Sequence, residues 1–286
     1  MRKNSIKNSR INGEVQKELS NIIRNEVKNP NISPLTSVVA VDVTPDLKEC
    51  KAYISVYGDE AAQAATIAGL KSAEGFIRSR LAKTVNLRNT PQIHFILDQS
   101  TYEEHPLGRV EWAKCYAALC DKEDDAVRMY DEQAAYVDKI SKTEKTGKSV
   151  AVFYITSKGK LYVRNADDYV AQMVELAGGK YIFDDLNVGK TGTQTMEMES
   201  FYSKAKDADY IIYIWSLGGK PSTLADFTGY SSVLSDMKAV KDGNVWCTTP
   251  DFFQIADTIG SMVNDINKMM TSDSSVNELT YLKKLK

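Results

Sequence analysis

The chain of 286 residues is 43% hydrophobic and 26% charged, proportions that are ordinary for a soluble globular protein of one large or two smaller domains. Its four cysteines form no C-x-x-C pair and it has only two histidines, so the sequence predicts free, buried thiols and no zinc site. The net charge of −2 conceals an asymmetry, because residues 1–100 carry +4 and residues 101–286 carry −6. The basic first part favours a polyanionic partner.

The N-terminus MRKNSIKNSR is charged but has no apolar run behind it, which is unlike a secretory signal. No apolar stretch approaches the roughly 20 residues of a membrane-spanning helix. The sequence therefore predicts a cytoplasmic protein.

Residues 9–28 have the pattern of an amphipathic helix. The apolar positions at helical spacing are Ile11, Val15, Leu19, Ile22 and Ile23. A basic stripe, interrupted only by Glu14, lies on the opposite side of the predicted helix. Its members are Lys3, Lys7, Arg10, Lys17, Arg24 and Lys28. Such a stripe is typical of nucleic-acid contact but also of an ordinary solvated helix face, and the residues alone leave both open.

Two segments rich in β-branched and aromatic residues follow, SVVAVDV (37–43) and CKAYISV (50–56). The turn-like TPDLKE between them predicts a hairpin. Residues 59–85 are helical in pattern, with an interruption at A-E-G where the glycine disfavours a continuous helix. The strand QIHFIL (92–97) follows Pro91. The predicted order is α-β-β-α-kink-α-β.

This order resembles a type II KH domain, and residues 1–100 resemble the bacterial ribosome-binding factor A family. The resemblance is carried by RINGEVQKELSNII, SVVAVDVTPDLKECKAYISV, GLKSAEGFIRSRLA and LRNTPQIHFILDQS, in that order. It implies a non-enzymatic factor for ribosome biogenesis. Such a factor binds the immature small (30S) ribosomal subunit and assists late 16S rRNA processing, especially in the cold. No cofactor is implied.

The resemblance also implies an RNA-binding site. Ala73, Glu74 and Gly75 match the A-x-G junction that replaces the G-x-x-G loop by which KH domains clamp nucleic-acid backbone. The basic residues after it join those of the first helix as candidates for phosphate contact. They are Arg78, Arg80, Lys83 and Arg88. A solvated helix position is an equally good interpretation of Arg80 or Lys83 taken singly.

A different pattern begins at about Thr101. Helical periodicity runs from about Trp112 to Ile140, with Asp121 as a candidate break. Buried-type strands such as SVAVFYIT (149–156) then alternate with helical segments, up to a closing amphipathic helix at 251–270. This alternation predicts an α/β lobe with a largely parallel sheet.

Residues 101–286 resemble the C-terminal part of an ABC-transporter solute-binding protein of the iron-siderophore, haem or corrinoid class. HPLGRVEWAKCYAAL is similar to the start of the long connecting helix of that class. SKGKLYVRNADDYVAQMVELAGGKYIFDDL and MESFYSKAKDADYIIY are similar to its second lobe. The resemblance implies that Glu199 docks on a permease and that Tyr162 and Arg164 face a ligand, with surface solvation as the alternative for Arg164. The first lobe is not represented.

Three interpretations of the domains 1–100 and 101–286 follow. The first is an RNA-binding assembly factor with an appended lobe. The second is a truncated solute-binding module. The third is an artefactual chimera, since no Gly/Ser/Pro-rich linker separates the parts. The G-K-T of residues 189–191 lacks the P-loop glycine at Asp184, and no nucleophile–base pattern indicates an enzyme.

Overall fold

The computed structural model describes residues 3–58, 60–98, 100, 103–118, 122–215, 221–252, 256–272 and 276–286. The chain divides into two compact units. The first unit comprises Met1–Thr101 and Lys114–Ala126, and the second comprises Tyr102–Ala113 and Val127–Lys286. A short part of the sequence after Thr101 therefore belongs to the first unit.

The first unit has helices α1–α3 and strands β1–β3. They are α1 (Lys3–Asn25), β1 (Thr36–Val43), β2 (Glu49–Val56), α2 (Glu60–Ser72), α3 (Glu74–Thr84) and β3 (Gln92–Leu97). β1 pairs antiparallel with β2 through the turn TPDLKE, so the predicted hairpin is confirmed. β2 pairs parallel with β3. The helical crossover between these two strands allows the parallel pairing.

The apolar stripe of α1 lies in the core of the first unit. Val15, Leu19 and Ile22 have no exposed surface, and α1 packs against β1 and α3. From α3, Ile77 and Leu81 enter the same core. Burial of each such side chain contributes about 1.5–3 kcal/mol, so the stripe fixes which face of α1 is left to solvent.

The predicted interruption between α2 and α3 lies at Ala73, whose ψ of 0° departs from helical geometry. Gly75 lies in the first turn of α3, and a Cβ built on it would meet no protein atom within 4 Å. Gly69 of α2 has a clearer steric role. A Cβ there would lie 2.9 Å from a side-chain carbon of Ile32, so the glycine permits the loop after α1 to pack on α2.

The long connecting helix predicted after His105 is two helices, α4 (Pro106–Ala118) and α5 (Glu123–Ser141). The long connecting helix that the resemblance implies is therefore interrupted, in the stretch where the sequence offers a candidate break. The candidate break, Asp121, lies outside the described residues. The N–H of Lys122 donates to the carbonyl of Ala117 at 3.0 Å, closing the end of α4. The first turn of α5 contains three acidic residues, which stabilise a helix N-terminus and so favour a new start.

The second unit contains the remaining elements. They are β4 (Ser149–Ile155), β5 (Leu161–Arg164), α6 (Tyr169–Leu176), β6 (Lys180–Tyr181), β7 (Thr193–Met196), α7 (Met198–Ala205), β8 (Tyr210–Tyr213), α8 (Leu224–Thr228), α9 (Lys238–Lys241), β9 (Val245–Thr248), α10 (Ile259–Thr271) and β10 (Leu282–Lys284). The sheet has the order β10-β9-β8-β4-β5-β7, and β6 also pairs with β4.

The prediction of a largely parallel sheet is wrong outside the centre. β4, β6, β8 and β9 pair in parallel, whereas β5, β7 and β10 pair antiparallel with their neighbours. For β5 the cause is the SKGK turn after β4, where Gly159 adopts a φ of 75° and donates its N–H to the carbonyl of Thr156. A connection of this length makes a hairpin, because a parallel crossover needs a dozen or more residues.

The closing helix α10 starts at Ile259, eight residues later than predicted. Its N-terminus is held by α5. The side chain of Gln133, only 7% exposed, accepts the N–H of Ser261 at 3.0 Å. A Cβ on Gly260 would lie 2.1 Å from the backbone oxygen of Gln133. The glycine therefore allows the two helix backbones to touch.

Candidate functional site

The basic stripe of α1 faces solvent. Arg10, Lys17 and Arg24 are exposed on the side of the helix opposite its buried residues, as predicted. Lys28 is exposed just beyond the helix. Lys3 and Lys7 belong to α1, but their side chains lie outside the described part of the structure. The described members place a row of cations on one face of a unit that is basic overall.

Two of the residues predicted to bind RNA on α3 instead point towards the protein. The carboxylate of Glu74 accepts the N–H of Ile93 at 3.2 Å. The guanidinium of Arg78 donates to the carbonyls of Pro91 at 2.9 Å and Thr90 at 3.3 Å. Together they fasten the first turns of α3 to the start of β3. Each hydrogen bond that uses a charged group contributes about 1.5–3 kcal/mol, so the pair has a structural role.

Arg80 is also engaged within the first unit. Its guanidinium forms an ion pair with the carboxylate of Glu26, which follows α1, and both side chains are partly buried. The pair joins α3 to the end of α1. The charge of Arg80 is thereby largely balanced inside the unit, and this arrangement differs from the solvated position considered as its alternative.

The outward side of α3 and the segment after it carry cations that face solvent. Lys83 on this helix and Arg88 beyond it are exposed, whereas Ala73 at the junction is partly buried. The structure therefore separates the predicted RNA-contacting residues into exposed cations and side chains that hold α3 in place. Sequence reasoning missed Phe76, which is 47% exposed on the outward side. The sequence signal for Phe76 was its helical spacing. Phe76 and Lys83 are seven positions apart, about two turns, so they lie on the same side of α3.

In the second unit, Tyr162 stacks on Tyr154 across the β4–β5 pair. The ring centroids are 5.1 Å apart and the planes are inclined by 6°. Both side chains are partly exposed, and Tyr154 lies near the carboxyl end of β4. Ligands of α/β sheets bind at the carboxyl ends of the parallel strands, so the position suits a ligand contact.

Arg164 is buried, with 7% of its surface exposed, so the alternative of surface solvation is wrong. Its guanidinium lies 3.5 Å from the carboxylate of Asp168. That carboxylate also accepts the N–H groups of Val170 and Gly192 at 3.0 and 2.9 Å. Asp168 is thus the N-cap of α6 and the counter-ion of Arg164 at once. A buried cation needs such a partner, and the arrangement assigns Arg164 to the interior of the unit.

The remaining candidates lie at the surface. Glu199 is exposed in the first turn of α7. Asp184 and Asp185 are exposed and pair with Lys180 and Lys204. Among the described residues no group of three His, Cys, Asp or Glu side chains could hold a metal ion. No helix in the part searched is long and apolar enough to cross a membrane.

The fold defines a chain in which a basic α+β unit is followed by an α/β lobe. The family model described as "Ribosome-binding factor A" matches residues 7–108, and the model described as "Periplasmic binding protein" matches residues 77–252. The chain belongs to both families, to the first through its N-terminal part and to the second through the larger part that follows. Both resemblances predicted from the sequence are confirmed at the level of these two families.

Individual relatives agree. The protein named ribosome-binding factor A from Lachnospira eligens is 76% identical over 100 residues, which are 35% of this chain and 77% of the relative. The same-named protein from Agathobacter rectalis is 72% identical over 100 residues, 35% of this chain and 83% of the relative. A crystal structure titled as an ABC-type Fe3+-hydroxamate transport system, from Saccharomonospora viridis, has a TM-score of 0.52 at 16% identity. The match covers 68% of this chain and 65% of the chain in that structure. It shows a shared fold.

Proposed function

We propose that the first unit binds the immature small ribosomal subunit through its 16S rRNA and assists late maturation in the cytoplasm, without catalysis. The observation that carries the proposal is the high identity of residues 1–100 to relatives named ribosome-binding factor A. The order α-β-β-α-α-β, with a break between the second and third helices, supports a type II KH-like fold. We also propose that residues 1–100 and 101–286 derive from separate domains.

Exposure selects the side chains proposed to contact rRNA. They are the exposed cations Arg10, Lys17, Arg24, Lys83 and Arg88. Long, solvated basic side chains release condensed counter-ions when they meet phosphates. Arg78 and Arg80 are proposed to act indirectly, by fixing the position of α3. The net charge of +4 over residues 1–100 gives the attraction its sign.

The salt dependence of binding tests this proposal. Lys83→Ala and Arg88→Ala should each weaken binding of the full chain to small subunits and reduce the slope of log K against log salt by about 1. Lys158→Ala is the matched control, because Lys158 is an equally exposed cation of the second unit. Lys158→Ala should keep the slope of the unchanged chain, and if Lys83→Ala and Arg88→Ala keep it too, Lys83 and Arg88 do not contact the rRNA phosphates.

A second candidate function is binding of a small chelate by the second unit. The stacked pair Tyr154–Tyr162 favours it, because Tyr154 lies near the carboxyl end of β4, a strand of the parallel part of the sheet, and stacked aromatic rings there suit a flat or apolar ligand. The candidate ligands are an iron-siderophore, a haem or a corrinoid, and Glu199 would then dock on an ABC permease. Titration of the chain with a ferric hydroxamate and with haemin, compared with Tyr162→Ala, tests this candidate through a shift in ligand absorbance.

A further inference from the structure

The first unit exposes an aromatic ring at the helix junction. Phe76 follows Gly75 directly and is 47% exposed. The large apolar side chains exposed in the described part of Met1–Thr101 are Leu35, Val39, Tyr57 and Phe76, and of these Phe76 alone belongs to a helix. Single exposed apolar residues are common in soluble proteins, so the surroundings of Phe76 decide what it means.

The side chains on the inward face of α3 hold the helix to the rest of the first unit. Ile77 and Leu81 are buried in the core, and Glu74 and Arg78 hydrogen-bond to the backbone at the start of β3. Phe76 is not needed for any of these contacts. Because the carboxylate of Glu74 is bound to an N–H group, the acidic side chain nearest in sequence is directed away from the outward face.

The outward face carries cations beside the ring. Phe76 and Lys83 are seven residues apart, which places them on nearly the same line of the helix, about 10 Å apart along its axis. Ser79 between them is exposed, and so is Lys71 in the last turn of α2. A polyanion is the complement of such a face. A polyanion with flat, unpaired rings would use both the charges and the aromatic surface.

The protein leaves the space at this junction open. A Cβ added to Gly75 would meet no protein atom within 4 Å. An exposed phenylalanine also does little for the helix, because its intrinsic helix propensity is lower than that of alanine. The ring therefore lies on the surface at a small cost to the fold, next to a glycine whose Cβ position is open.

We propose that Phe76 stacks on an unpaired base of rRNA while Lys83 contacts a neighbouring phosphate. Proteins that bind single-stranded RNA combine aromatic rings with basic side chains in this manner. This inference rests on the proposed function of the first unit and names the residue that would hold a base.

The test compares three substitutions at one position in the full chain, measured against small ribosomal subunits and against protein-free 16S rRNA. Phe76→Ala and Phe76→Leu should weaken binding to both by roughly tenfold, the scale of one base–aromatic stack. Phe76→Trp should retain the affinity. The slope of log K against log salt should be the same for all three Phe76 variants, since no charge is removed. Lys83→Ala should reduce that slope. Thermal melting should be unchanged or slightly higher for Phe76→Ala.

The matched control is Tyr57→Ala, which removes another exposed ring of the first unit, 76% exposed after β2. It should leave binding unchanged. Full affinity of Phe76→Ala, or of Phe76→Leu, would overturn the stacking. The stacking would also be overturned if the Phe76 variants lost affinity for subunits but not for protein-free rRNA. That result would place Phe76 against a ribosomal protein. No binding by the unchanged chain would overturn the proposed function together with this inference.

Discussion

The hydroxyl of Tyr116 donates a hydrogen bond of 2.8 Å to the carboxylate of Asp98, which is only 4% exposed. Asp98 follows the last strand of the first unit, and Tyr116 lies on α4 within the segment that resembles a solute-binding protein. The N–H of Ser100 donates to the other carboxylate oxygen at 2.9 Å. Burial raises the pKa of Tyr116 to about 12. Residues that follow the apparent join in the sequence therefore help to complete the first unit.

Tyr116→Phe should destabilise the first unit. It leaves the buried carboxylate of Asp98 without one of its donors, and loss of a hydrogen bond to a charged group costs about 1.5–3 kcal/mol. Tyr57→Phe is the control, since that hydroxyl belongs to an exposed side chain of the same unit. Denaturant unfolding of the full chain measures the difference. Equal midpoints for the two variants would show that the hydrogen bond contributes nothing.

Arg78→Ala should unfold the first unit more easily and not merely weaken its binding to ribosomal subunits. The substitution removes both donors to the backbone at Thr90 and Pro91 and leaves carbonyls there unpaired. We expect a loss of about 1–3 kcal/mol in the free energy of unfolding. Arg88→Ala removes an exposed cation and should leave stability within about 0.5 kcal/mol. Chemical denaturation followed by circular dichroism checks this, and equal stability of the two variants would contradict it.

Gly260→Ala should destabilise the second unit strongly. The new methyl group would overlap the backbone of Gln133, and a backbone cannot move away as a flexible side chain can. We expect a cost of about 1–3 kcal/mol or more. Gly13→Ala is the opposite case, because a Cβ there meets nothing within 4 Å in α1, and it should stabilise by about 0.5–1 kcal/mol. Calorimetry measures the change in melting temperature of each variant relative to the unchanged chain. If both changes had the same sign, the close approach of α5 and α10 would be refuted.

Two aspartates of the second unit should respond oppositely to neutralisation. Burial of Asp209 opposes its charge, but hydrogen bonds from Ser149 and Lys238 outweigh this effect and lower its pKa. Its contribution is therefore present above the unfolded pKa of about 3.9 and is lost as the pH falls through the folded pKa. Asp209→Asn should cost about 1–3 kcal/mol at pH 7, and the difference from the unchanged chain should shrink below about pH 4.

Asp265 is the matched comparison. Burial raises its pKa, and its carboxylate accepts the N–H of Tyr281 at 2.8 Å. An asparagine oxygen can accept the same bond without a desolvated charge. Asp265→Asn should therefore be neutral or stabilising at pH 7, and this effect should fade as acid protonates the folded carboxyl. Unfolding curves of both variants and of the unchanged chain between pH 3 and 7, about the range in which carboxyls titrate, measure these differences. Equal losses of stability in Asp209→Asn and Asp265→Asn at pH 7 would contradict the opposite roles of the two carboxylates.

The sequence was sufficient to predict the helices and strands of residues 1–100 because their signals are local. The spacing of Val15, Leu19 and Ile22 determines the buried side of α1, and two β-branched runs around a turn determine the hairpin. The fate of individual cations was not predictable in this way. The partners of Arg78 are backbone carbonyls 12 and 13 residues away, and these are invisible to a pattern of side chains.

The second unit shows the same limit. Arg164 looks like a solvated strand residue until α6 brings Asp168 beside it. The strands β7 and β10 are only four and three residues long, too short for a periodic pattern, so the mixed character of the sheet was missed. Sequence spacing thus predicts which residues are near one another along an element, whereas packing decides which charges remain available for function.

The first unit is proposed to bind the small ribosomal subunit while it is part of this chain. The most direct measurement is sedimentation of the full chain with small subunits through a gradient at low and moderate salt, with a 1–100 fragment run alongside. The account predicts that the full chain co-sediments and that the bound fraction falls as salt rises. Binding by the fragment alone would show that residues 101–286 prevent the function. No binding by either would contradict the assignment of the first unit to ribosome assembly.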